Sequence, residues 1–141
     1  MVVGGSYYSD FLRKELGLSY SEAEQTKLGL NSLGESIQRQ AETILQSVSD
    51  LLVLEIERTL DYFKASSEGV APQRMLLSGG GSRSRGLRRS LQQKLQFPVQ
   101  FLEPFKKIQV DRKVYPCEYL SRLANESAVA LGLALRSARQ R

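Results

Sequence analysis

The sequence predicts an α/β chain that is helix-rich, with a small, incomplete sheet and one long central helix. Three observations predict it. Met75-Leu76-Leu77 runs into Ser78 and three glycines and is followed by an amphipathic stretch, the pattern of a buried strand, a tight turn and a helix start. The run 33–64 contains no proline and repeats apolar residues at three- and four-residue steps. From about Leu120 the chain turns helical again, with an apolar body built from Leu123, Ala128, Val129, Leu131, Leu133, Ala134 and Leu135.

In order, Val2-Val3 before Gly4-Gly5 reads as the tail of a strand entering a turn, so the chain is expected to begin inside a larger domain. From Ser6 the spacing becomes helical, with Tyr7 or Tyr8, Phe11, Leu12 and Leu16 on one face and Gly17 as the stop. Ser19 or Ser21 caps a second short helix that ends at Gly29. Asn31 and Ser32 cap the long helix, whose stripe is Leu33, Ile37, Ala41, Ile44, Leu45, Val48, Leu51, Leu52, Ile56, Leu60 and Phe63. Unbroken, it extends about 45–50 Å at the α-helical rise. Ala41 and the doubled apolar pairs favour packing inside a domain over a coiled coil. Pro72 follows its end.

After the glycines, Ser82 or Ser84 is the expected cap of a helix burying Leu87, Leu91 and Leu95. Phe97-Pro98 breaks that helix and 99–102 forms the next strand. The stretch 103–118 reads as loop with a short strand at 108–110. In the last helix, Gly132 with Ala128 and Ala134 offers a small-residue face for close packing. Residues 1–141 are read as one domain, with 33–64 as the long helix and 73–141 as a unit built on the glycine turn.

Composition narrows the chemistry. Hydrophobic residues at 41% and charged residues at 25% belong to a folded chain rather than a disordered one. The absence of histidine excludes a histidine-based triad, and with Cys117 as the sole cysteine neither a disulfide framework nor an ordinary zinc site assembles. Cys117 reads as a reduced, inert thiol. Basic residues gather in 83–94, 106–113 and 136–141. Aromatic residues do not interleave with the first and last of these runs, so no nucleic-acid partner is expected.

The glycine turn is the candidate site. Glycines let a ligand approach the backbone without a Cβ in the way, and a helix start beside them suits a phosphate or a nucleoside. Gly79 and Gly81 with Glu103, 22 residues beyond Gly81, resemble a dinucleotide fingerprint, but Ser84 occupies the third glycine position. No Gly-Lys-Ser or Gly-Lys-Thr follows, which disfavours a phosphate loop. An ordinary strand-to-helix turn is the bland alternative. Glu24 and Lys27, three apart on a helix, share a face, and their bland alternative is a surface ion pair worth little.

Ala23-Glu24-Gln25-Thr26-Lys27 resembles the adenosine-contacting helix of the actin-like ATPase superfamily, and Ser78-Gly-Gly-Gly-Ser82 resembles its adenosine loop. Residues 128–136 are similar to its C-terminal helix, which packs behind that loop. Together with Gly4-Gly5, the segment 55–63, Gly86-Leu87 and Glu103-Pro-Phe105, these resemble the PilM family of type IV pilus assembly proteins, relatives of FtsA.

The resemblance implies part of an actin-like (ribonuclease H-like) ATPase lobe, the C-terminal part of the second lobe. It implies ATP or ADP as ligand, with Glu24, Lys27, Gly79, Gly80, Gly81 and Ser82 around the adenosine. The magnesium and phosphate elements and the first lobe lie outside the matched segments, so this chain alone is not expected to be an ATPase. Implied partners are a PilN-like cytoplasmic peptide, held mainly by the first lobe, and other pilus alignment proteins. The implied location is cytoplasmic, at the inner membrane through those partners. Strands missing from the sheet would leave an edge, so a homo-oligomer or a rearranged 1–5 segment is expected. The rival readings are a nucleotide-free module that docks a protein or nucleic acid, and an FtsA-like or type II secretion relative.

Overall fold

A computed structural model describes residues 4–31, 33–68 and 70–139. Among them are six α-helices and two short strands: α1 (Gly5–Leu16), α2 (Tyr20–Leu28), α3 (Glu35–Ser66), β1 (Met75–Leu77), α4 (Leu87–Lys94), β2 (Val99–Phe101), α5 (Cys117–Leu123) and α6 (Ala128–Arg139). The two strands pair in parallel, Met75 beside Val99 and Leu77 beside Phe101, with α4 as the crossover.

The first two helices end as their glycines dictate. Gly17 and Gly29 both take left-handed conformations that return a backbone N–H to the last turn. Ser19 forms a reciprocal capping box with Glu22, which fixes the start of α2. Tyr8 and Leu12 of α1 and Ala23 of α2 are buried against Ala41, Leu45 and Val48 of α3. The Tyr8 hydroxyl is satisfied by Ser49 Oγ at 3.0 Å, so the ring is buried without an orphaned polar atom.

Helix α3 is the spine of both cores. Five residues beyond Val48, Val53 enters a second cluster with Leu87 and Leu91 of α4 and Val99 of β2. Its 32 residues give a rod of about 48 Å, within the expected length. The stripe is narrower than its sequence pattern: Ile37, Leu51 and Phe63 are exposed, and Val53, outside the stripe, is buried.

Several expectations are corrected. The cap of α3 is Gly34, with no side-chain hydrogen bond. Asn31 instead donates to Thr26 Oγ1 and the Glu22 carbonyl, tying the chain back to α2, while Ser32 and the strand tail at Val2-Val3 lie outside the described residues. Neither Ser82 nor Ser84 caps α4. A 3-10 turn over Gly80–Arg83 intervenes, and α4 begins after Gly86 in a left-handed conformation. β1 is half-buried rather than buried, with Leu76 exposed, because β2 is its only paired neighbour among the described residues. Residues 108–110 form no strand. The C-terminal helix is two helices, and the second exposes Val129, Leu133 and Leu135, so the close packing expected at Gly132 is not made.

Candidate functional site

The glycine corner is held by backbone contacts that only glycines permit. A methyl group built on Gly81 would lie 2.9 Å from the Gly5 nitrogen, and one on Gly5 would lie 3.0 Å from Gly81 Cα. The start of α1 is thereby pressed against the turn after β1. Gly79 has φ +87°, a conformation that side-chain-bearing residues resist. Gly80 is the least constrained of the three, with only Glu126 Oε1 at 3.9 Å from the place of a Cβ. Ser82 is buried and spends its hydroxyl inside the turn, donating to the Gly79 carbonyl at 2.7 Å.

Lys27 reaches the same corner from α2. Its Nζ lies 3.7 Å from the place of a Gly5 Cβ and donates to the Gly5 carbonyl at 3.3 Å. It also meets Ser9 Oγ at 3.3 Å and both Glu24 carboxylate oxygens, at 2.7 and 2.6 Å. The Lys27 side chain is only 6% exposed, and Glu24 gives it the partner of opposite sign that burial calls for. Ser9 also donates to Glu24. Burial works to raise the Glu24 pKa, but the hydrogen bonds from Lys27 and Ser9 and the nearby ammonium charge outweigh it and hold the carboxyl below its ordinary range.

The structure thus brings Glu24 and Lys27 to the edge of the Gly79–Ser82 turn, with Gly5 between them. It does not open one cavity that all six share. The hollow of about 260 Å³ beside the corner touches Gly5, Gly81 and Ser82 but is walled by Tyr8, Ile56 and Leu77, and neither Glu24 nor Lys27 lines it.

Three contributors escaped sequence reading. Ser9 is fully buried and joins the ion pair; a serine on the inward face of α1 beside Tyr8 and Leu12 was the available sign. Asn125 receives the Gly79 N–H at 2.6 Å and the Ser78 hydroxyl at 3.2 Å on its carbonyl, and Glu126 follows beside Gly80. The polar break 125–127 between the last two helices marks a turn, but nothing in it announces its target. Among the described residues no cluster of ligating side chains could hold a metal ion. Cys117 is exposed and receives a hydrogen bond from Arg112 Nη1 at 3.2 Å.

Helices around a small parallel sheet whose first strand ends in this glycine corner make the chain part of an actin-like fold. The profile of the family described as type IV pilus assembly protein PilM matches residues 1–138, and the chain belongs to that family. It is also similar to a solved structure described as the PilM-PilN type IV pilus biogenesis complex, with a TM-score of 0.77 and 29% sequence identity. That match covers 94% of this chain and 36% of the solved one, so the chain spans about a third of its structural relative.

Proposed function

We propose that the chain serves type IV pilus assembly as the adenosine-contacting side of an ATP or ADP site within a PilM-type scaffold. Glu24 and Lys27 would meet the ribose and base, and Gly79, Gly80, Gly81 and Ser82 would provide the backbone surface beside them. The observation that carries this reading is the Gly5–Gly81 contact, which sets a buried base and its half-buried acid from α2 next to a turn free of side chains. Phosphate and magnesium would be held by other parts of the fold, and hydrolysis depends on positioning the terminal phosphate, so the chain binds without turning over. A PilN-like cytoplasmic peptide is the partner suggested by the solved complex, engaged at the inner-membrane face through the longer scaffold.

The test is an ATP and ADP titration of the 141-residue chain, followed by amide shifts. Shifts concentrated at Glu24, Lys27 and 79–82, and lost in Gly80→Asp, support the site. Their absence rejects adenosine recognition by this chain.

One observation favours a second reading. All three Lys27 N–H bonds are already committed, to Glu24, Ser9 and the Gly5 carbonyl. The pair then acts as a latch fastening α1 and α2 to the corner in a nucleotide-free scaffold. In that case Lys27→Met loosens the fold while nucleotide leaves every amide unmoved.

A further inference from the structure

Charge is divided unevenly along the chain. Residues 1–69 carry 6 Lys or Arg and 11 Asp or Glu, whereas residues 70–141 carry 14 and 4. Within the basic part, Lys106, Lys107, Arg112, Lys113 and Arg122 fall inside 17 residues, and all five are exposed; with Glu103, Asp111 and Glu118 among them the stretch 103–123 is net +2. Lys107 and Lys113 make no side-chain ion pair among the described residues. Interleaved with them, Val114, Tyr115 and Tyr119 are 62%, 47% and 43% exposed. Loop and helix lie side by side, since Lys106, Arg112, Cys117 and Leu120 line one hollow of about 360 Å³.

We propose that the loop 103–116 and helix α5 dock on an anionic lipid surface. Five cations in a short segment attract an acidic leaflet, and their excess over Glu103, Asp111 and Glu118 leaves the stretch net positive. Exposed valine and tyrosine beside them suit the headgroup layer, where a phenol keeps its hydroxyl wet while its ring leaves water. The other polyanions fit less well. A nucleic acid would want free aromatic faces, but Tyr115 and Tyr119 stack on each other at 6.3 Å and Arg122 sits over Tyr119. An acidic peptide would want a cationic groove, and the hollow at Tyr119 and Arg122 includes the Glu118 carboxylate. Exposed cations set among protruding apolar side chains instead match a broad, flat anion. The docking is direct and does not depend on nucleotide or on a PilN-like peptide.

The experiment is co-sedimentation of the 141-residue chain with vesicles of equimolar phosphatidylglycerol and phosphatidylcholine, against vesicles of phosphatidylcholine alone. The chain is expected to pellet with the first and not the second, and to be released as salt rises. Lys107→Glu with Lys113→Glu should lower partitioning roughly tenfold or more, since each cation near the surface contributes about fivefold. Tyr115→Ser should weaken what binding survives at high salt. Lys107→Gln with Lys113→Gln, a milder pair at exposed loop positions, should lose less than the reversed pair while leaving the far-UV spectrum unchanged. Failure to pellet with the anionic vesicles, or equal pelleting of the charge-reversed chain, overturns the proposal. So does retention by an acidic peptide or an oligonucleotide without vesicle binding.

Discussion

Lys27 is the residue whose environment decides most. An ammonium this well buried is tolerated because Glu24 lies against it, and leaving it without the carboxylate costs more than removing it. Glu24→Gln is expected to destabilise the chain by about 2–3 kcal/mol, and Lys27→Met by about 1 kcal/mol, read from urea midpoints. The Glu24 carboxyl has a folded pKa below its ordinary value of 4.5. Its contribution is therefore complete above the unfolded value and is lost as pH falls through the lower folded one. Acid titration of stability should show this loss in the wild type and not in Glu24→Gln. The three glycines should also separate. Gly81→Ala forces the Gly5 backbone away and is expected to cost about 1–3 kcal/mol, as overpacking does. Gly80→Ala meets no close atom and should stay within about 0.5 kcal/mol of wild type. The sequence showed that three glycines follow a strand. It could not show which one touches α1, because that contact joins residues 76 positions apart.

Elements were legible where their signals are local. Ser19 and Glu22 sit at capping-box spacing and make that box, so Ser19→Ala should cost about 1 kcal/mol in thermal or urea unfolding. The period of α3 located it within two residues at each end. Caps failed where a partner on the preceding segment competed: Asn31 turns back to α2, and Ser82 turns into the 3-10 turn that delays α4. The consequence for α4 is measurable. No acidic residue occupies its first turn, and Arg88 and Arg89 stand at the positive end of its dipole. Both are exposed, but Arg88 lies over the Phe101 ring and Arg89 does not. Arg89→Glu should raise stability by about 0.3–1 kcal/mol, an effect that shrinks with added salt.

At the scale of the molecule, the pattern of apolar residues promised a closed core, and the fold instead leaves several apolar faces uncovered. α6 was read as packed because Val129, Leu133 and Leu135 are apolar, but burial depends on a surface to pack against, which a linear pattern does not contain. Among the described residues β1 pairs with β2 alone, and two paired strands are marginal by themselves. Met75 donates to the Pro98 carbonyl and Leu77 accepts from Leu102, so both point toward β2 and the Leu76 backbone groups face the other edge, where no strand among the described residues pairs. Such an edge recruits another strand, and the uncovered α6 face adds apolar area to any contact. The 141-residue chain is therefore expected to self-associate as its concentration rises, in size-exclusion chromatography with light scattering. Leu76→Pro removes the edge N–H and should shift the equilibrium to monomer if strands pair. Leu133→Gln should do so if α6 forms the seam. A monomer at every concentration would show that neither face associates, and Leu76 and Leu133 would then stand in water as single exposed residues without a partner of their own kind.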